Sequence, residues 1–103
     1  MRLKPADRRK QLIEAALNLA EGRDYTRVTR NEIAAAAGVV GAVIHHQFGT
    51  MAKLRRAIMR AAVAEERLSI IGQGLVVRDP QAMKAPLELR TRALQSLVDS
   101  NVS

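Results

Sequence analysis

Residues 29–48 read Thr-Arg-Asn-Glu-Ile-Ala-Ala-Ala-Ala-Gly-Val-Val-Gly-Ala-Val-Ile-His-His-Gln-Phe, and the punctuation of this stretch decides the fold. Thr29 and Glu32 stand at the N-cap and third positions of a capping box, where each side chain satisfies a backbone N–H that the first helical turn leaves free. That predicts a helix from Arg30 to about Ala37, with Ile33 and Ala37 pointing inward and Gly38 ending it. Residues 39–48 then read as a second short helix whose Ile44 and Phe48, four apart, face the core. Its start is weak. Val40 has no oxygen with which to cap, and Gly41 in the first turn costs about 1 kcal/mol relative to Ala. Two short helices joined at a glycine form the helix-turn-helix pattern.

Upstream, a first helix is expected to begin after Asp7 and to end at Gly22, with Ile13, Ala16, Leu17 and Ala20 as one apolar stripe. Residues 23–28 connect it to the capping box, and Tyr25 and Val28 are the side chains there that can enter the core. Downstream, Gly49 breaks the chain and Thr50 caps a long fourth helix, expected from Met51 to about Ile71. Leu54, Ile58, Ala61, Leu68 and Ile71 supply its buried side, and Gly72-Gln73-Gly74 is expected to end it. Asp79-Pro80 is an N-cap followed by a first-turn proline, starting a short turn over 80–85. A last helix over 86–99 shows Leu87, Leu94, Leu97 and Val98 as its apolar side. The fold class expected is all-α: a three-helix, helix-turn-helix domain at residues 1–50, then a long helix and a short helical extension over 51–103.

Composition supports helix and closes several doors. Apolar residues make up 48% of the 103 but aromatics only 2%, so Ala, Leu, Ile and Val must build the core, and strands are poorly supplied. The absence of cysteine excludes disulfides, thiol nucleophiles and cysteine-held metals. Charged residues interrupt every long apolar stretch, and no apolar run follows the basic start, so neither a membrane span nor a secretory signal is read. A cytoplasmic protein is the expectation.

The net charge of +7 is unevenly placed. Residues 1–30 carry eight basic against four acidic side chains, and residues 31–60 carry Lys53, Arg55, Arg56 and Arg60 against Glu32 alone. Residues 61–103 hold five of each sign. A basic front and a neutral back are the footprint of a nucleic-acid-binding domain with an attached assembly segment.

Residues 29–54 also resemble the DNA-binding domain of the TetR family of transcriptional repressors. The match rests on Ile33-Ala34, Ala37-Gly38-Val39, Ile44, Phe48 and Leu54, and extends over about residues 8–60. The sequence departs from the family pattern at Val40 and Val43, where Ser or Thr is usual, and at His45, where Tyr is the hallmark. Further departures are His46, Gln47 in place of His, and Met51 in place of Lys.

The resemblance implies double-stranded DNA as partner, with the helix at 41–48 in the major groove, about 12 Å wide. It implies that Arg30 holds a phosphate and that Asn31 reaches a base edge, where Asn pairs with adenine. Val40, Gly41, Ala42 and Val43 would face bases, the valines against thymine methyls. His45, His46 and Gln47 would touch phosphates, and Thr50 and Lys53 would clamp one in place of the family lysine. Arg27 and Thr29, flanking the start of the second helix, complete the DNA-facing set. Arg2 and Lys4 lie on an arm suited to a minor groove. The family's large ligand-binding domain has no counterpart in the 103 residues, which argues against a small-molecule inducer pocket. A homodimer on a palindromic operator is expected, its seam drawn from exposed apolar parts of the last helices. Two histidines at the phosphate-facing end predict tighter binding as pH falls through about 6.5.

Bland alternatives bound these expectations. Adjacent His45 and His46 point in different directions on a helix and cannot chelate together, so no metal is expected. No catalytic constellation is present, and the Gly72-x-Gly74 pair lacks the strand that a phosphate loop needs. Neither an enzyme nor a cofactor is expected. Glu65-Glu66 beside Arg67 reads as a solvated face, and Arg55, Arg56 and Arg60 as either that or a second DNA surface. Two rival functions remain open: a non-specific nucleic-acid-binding protein, and a protein-interaction module that keeps the fold but not the DNA contacts.

Overall fold

The computed structural model describes residues 3–102, and every regular element among them is helical. The elements are α1 (Pro5–Ala20), a single 3-10 turn (Tyr25–Arg27), α2 (Arg30–Ala37), α3 (Gly41–Phe48), α4 (Met51–Ala64), α5 (Leu68–Val76), α6 (Pro80–Met83) and α7 (Leu87–Val102). They divide into two compact units, one up to Ile58 and one from Met59 onward.

In the first unit, α2 packs against both α1 and α3. Helix α1 starts at Pro5, two residues before the expected Asp7 cap, because the fixed φ of proline suits a first helical position. Asp7 instead lies in the first turn, where its charge favours the helix dipole. Lys4 is the N-cap residue of α1, while Arg2, the other half of the expected arm, lies outside the described residues. Past the C-terminus of α1, Gly22 takes φ +74° as expected. Asp24 then accepts hydrogen bonds from Thr26 N (2.9 Å) and Thr26 Oγ1 (2.6 Å), folding the connection so that Tyr25 and Val28 are buried.

The α2 capping box forms in full. Thr29 Oγ1 accepts from Glu32 N at 3.1 Å, and Thr29 N donates to Glu32 Oε1 at 3.0 Å. At the other end Gly38 adopts φ +70°, with Gly38 N bonded to Ala35 O (3.3 Å) and Val39 N to Ala34 O (2.9 Å), a Schellman closure. Leu12, Leu17, Ile33, Ile44, Leu54 and Ile58 are fully buried around it. Two expected core positions shift: Leu12 rather than Ile13, and Ala34 rather than Ala37, are the buried ones. A helix packed on two neighbours buries an arc wider than one stripe, and the arc of α2 includes Ala34.

The fourth helix is shorter than expected. Helix α4 ends at Ala64, and the chain turns through residues 65–67, with Glu66 at φ +55°, before α5 begins at Leu68. Met59 and Ala62, not Ala61, are its buried side chains in the second unit, and Ile70 and Ile71 are those of α5. Nor do Gly72 and Gly74 end a helix; both lie inside α5 and are buried. A Cβ on Gly72 would stand 2.8 Å from Leu97 Cγ, and one on Gly74 would stand 2.6 Å from Met59 Cε and 2.7 Å from Ala82 Cβ. These glycines serve close packing of α5 on α6 and α7, which outweighs their helical cost.

Asp79 caps α6 as expected, its carboxylate accepting from Gln81 N at 2.8 Å and Ala82 N at 3.4 Å. The buried line of α7 runs through Leu89 and Ala93 to half-buried Leu97, four residues apart each time. The expected apolar side is thereby corrected, since Leu87 (69%), Leu94 (49%) and Val98 (54%) remain exposed. Close approach at Gly72 admits Leu97 and so sets the rotation of α7. Among the described residues no polar or charged side chain is buried, and no helix is long and apolar enough to cross a membrane.

Candidate nucleic-acid interface

Helices α2 and α3 present their N-terminal ends to one open cleft of about 460 Å³. Thr29, Arg30 and Asn31 line it from α2, Gly41, Ala42 and His45 from α3, and Met51 from the start of α4. Six of the residues singled out from sequence thus meet on one surface. The capping box positions the first three, and the Gly38 turn sets α3 across from them.

Gly41 allows the two helix starts to approach closely. A Cβ there would lie 3.4 Å from Asn31 Oδ1, so the Asn31 carboxamide sits over the first turn of α3. Arg30 Nη1 reaches across to His45 Nδ1 at 3.0 Å. On α3, Ala42, His45 and His46 are exposed, and Val43 and Gln47 are half-buried at its flanks. Val40 precedes the helix without capping it and is 69% exposed. His46 points elsewhere than the cleft wall.

The remaining expected residues surround this centre in different roles. Thr50 Oγ1 accepts from Lys53 N at 3.2 Å, so the hydroxyl starts α4. Lys53 is exposed one turn further, its aliphatic stem against Gly49. Arg27 is exposed at the surface with Asp24 Oδ2 3.8 Å away.

The electrostatics favour an anion. From Ile33 to Ala64 the chain has no acidic residue, while Lys53, Arg55, Arg56 and Arg60 are all exposed on that stretch. Glu32 is the nearest carboxylate on α2, and it is already engaged. Arg23 donates to it through Nη1 (2.5 Å) and Nη2 (3.2 Å), in addition to Thr29 N. The Arg23 hydrogen bonds first, and the Thr29 backbone second, hold this carboxyl below the usual 4.5. Hydrogen bonds from Thr26 similarly lower Asp24, with the Arg27 charge adding to them.

Two contributors escaped the sequence. Arg9, on α1, donates from Nη1 to Gln47 O at 3.0 Å and lays its guanidinium 4.5 Å from the Phe48 ring centroid, securing the end of α3. Gln11 Nε2 donates to Ala37 O at 3.3 Å at the end of α2. Both are polar residues on the outer side of an amphipathic helix, and nothing in their spacing distinguishes them from solvated ones.

Residues 12–58 match the family model of bacterial regulatory proteins, tetR family. Over 60 residues the chain is 40% identical to the HTH-type transcriptional regulator BetI of Rhizobium meliloti (strain 1021). That alignment covers 58% of this chain and 30% of the relative, so the chain spans under a third of the relative's length. No solved structure matches the chain.

Proposed function

Given that residues 12–58 are a TetR-family helix-turn-helix domain, we propose that the chain is a site-specific DNA-binding transcriptional regulator that acts as a repressor. Helix α3 enters the major groove, and α2 rests on the phosphate backbone. The observation that carries this reading is the acid-free cleft on which Arg30, Asn31, Gly41, Ala42 and His45 converge. Asn31 supplies a base-pairing amide, Gly41 and Ala42 permit close approach, and Arg30 and His45 supply phosphate donors. His46, Gln47, Thr50 and Lys53 continue the backbone contacts, and Val40 and Val43 lie against thymine methyls. The relative's description as a transcriptional regulator supports the same reading.

Two copies would act on an inverted repeat, with half-sites about 34 Å apart. Support for self-association comes from α7, where Leu87, Leu94 and Val98 form an exposed apolar side. Residues 1–50, joined by Lys53 in the first turn of α4, then carry the DNA contacts, and the rest of residues 51–103 the assembly.

The test is Ala42→Glu, with duplex binding measured by fluorescence anisotropy. Ala42 is exposed in the first turn of α3, where a carboxylate favours the helix dipole, so the fold is retained. The expected result is at least a 100-fold loss of affinity with an unchanged melting temperature. Unchanged affinity contradicts the placement of α3 in the groove. Because α3 exposes few hydrogen-bonding side chains, specificity is shared with DNA shape.

A further inference from the structure

Arg30 and His45, on different helices, are joined by a hydrogen bond whose direction is determined by chemistry. A guanidinium carries donors only. With Arg30 Nη1 3.0 Å from His45 Nδ1, a hydrogen bond between them requires that ring nitrogen to accept, which only the imidazole carrying its proton on Nε2 can do. The bond holds the Arg30 head against α3 at the lip of the cleft.

Protonation of Nδ1 turns the acceptor into a donor and sets two cations against each other. No neighbouring group compensates. The other residues that line the cleft are Thr29, Asn31, Gly41, Ala42 and Met51, all uncharged. Glu32 on α2 is occupied by Arg23 and Thr29. On α3 itself, His46 is the adjacent residue and projects in another direction. From α1, Arg9 is turned to Gln47 O and the Phe48 ring. Among these facing groups an anion seated in the cleft is what reverses the balance, because a phosphate oxygen accepts from both cations together.

We propose that His45 is the positioning residue of Arg30 in the free protein and the group that takes up a proton when DNA binds. Neutral His45 holds the guanidinium in place; on binding, Nδ1 gains a proton from solvent and both side chains donate to phosphate. The inference rests on the DNA-binding reading and narrows the pH dependence expected of two histidines to one of them. By linkage, a group that gains a proton on binding makes affinity rise as pH falls through the imidazole range. One proton per protomer sets a limit of about tenfold per pH unit per site.

Two measurements test it. In the free chain, long-range proton–nitrogen NMR spectra at pH 8 are expected to show His45 with its proton on Nε2, a preference that Arg30→Ala erases. Duplex affinity between pH 8 and 5.5 is expected to rise by several-fold or more for the wild type. It stays flat for His45→Gln, while His46→Gln keeps the slope whatever its affinity at pH 8. A proton on Nδ1, a flat wild-type profile, or a slope retained in His45→Gln overturns the proposal and leaves the DNA reading standing. No duplex binding at any pH, with the Nε2 proton present, overturns the DNA reading and the proton uptake with it.

Discussion

At Glu32 one carboxylate serves four donor atoms, two on Arg23 and two on Thr29, and that sharing links the fold to the charge of the cleft. It closes the capping box through Thr29 N and binds the Arg23 guanidinium, which leaves Arg30 without an acidic partner on its own helix. Its folded-state titration is depressed, chiefly by Arg23. The stabilisation is therefore present above the ordinary 4.5 and lost as pH falls through the lower folded value. Glu32→Gln is expected to lower the melting temperature at pH 7, and its gap to the wild type should close below pH 4.5. Circular dichroism melts from pH 3 to 7 measure this, and a gap independent of pH contradicts it. At this scale the sequence was legible where a rule is local, as at Thr29 and Glu32, three residues apart. The Arg30–His45 pair spans fifteen residues and two helices, and no local spacing signals it.

Among the elements, those with strong punctuation at both ends came out where the sequence put them. Helix α2, bounded by Thr29 and Gly38, is of this kind; in α3, whose start is weak, the core pair Ile44 and Phe48 was legible, and in α6 the Asp79-Pro80 start. The α4–α5 break was not legible, because Glu66 takes its left-handed conformation without being Gly or Asn. Arg92 Nη1 bonds Glu66 Oε1 at 2.7 Å from 26 residues away, a tie that no window of sequence contains. Gly72 and Gly74 misled for a related reason: glycine disfavours a helix locally, whereas here its missing Cβ admits a neighbour. The two sites should respond differently to alanine. At Gly74 the obstruction includes Ala82 Cβ, which cannot rotate away, so overpacking of about 1–3 kcal/mol exceeds the helical gain of about 1 kcal/mol. At Gly72 the obstruction is the half-buried Leu97 side chain from Cγ outward, which must change its χ1 to give way, whereas Ala82 Cβ cannot move at all. Urea unfolding is expected to show Gly74→Ala destabilised by about 1 kcal/mol and Gly72→Ala destabilised by less. Equal losses at both contradict this account of α5.

For the whole molecule, the distribution of charge carries more than its total. The excess of +7 lies in the first 60 residues, and the acid-free stretch from Ile33 to Ala64 runs through α3 and α4. Helix α7 instead offers apolar side chains to its surroundings. In the function proposed above, the basic end of the sequence meets the polyanion and α7 serves association, the division of labour a dimeric regulator needs. That asymmetry, the helix-turn-helix and the family resemblance are all legible in the sequence. The surfaces that remain exposed on α7 are not, because they depend on which side of the helix Gly72 admits. In the proposed function α2 and α3 recognise a defined duplex sequence. The decisive measurement is selection from a randomised duplex DNA library, with purified protein near physiological salt. Enrichment of an inverted repeat is the predicted result. Retention without enrichment, falling steeply with salt, or no retention at all contradicts it.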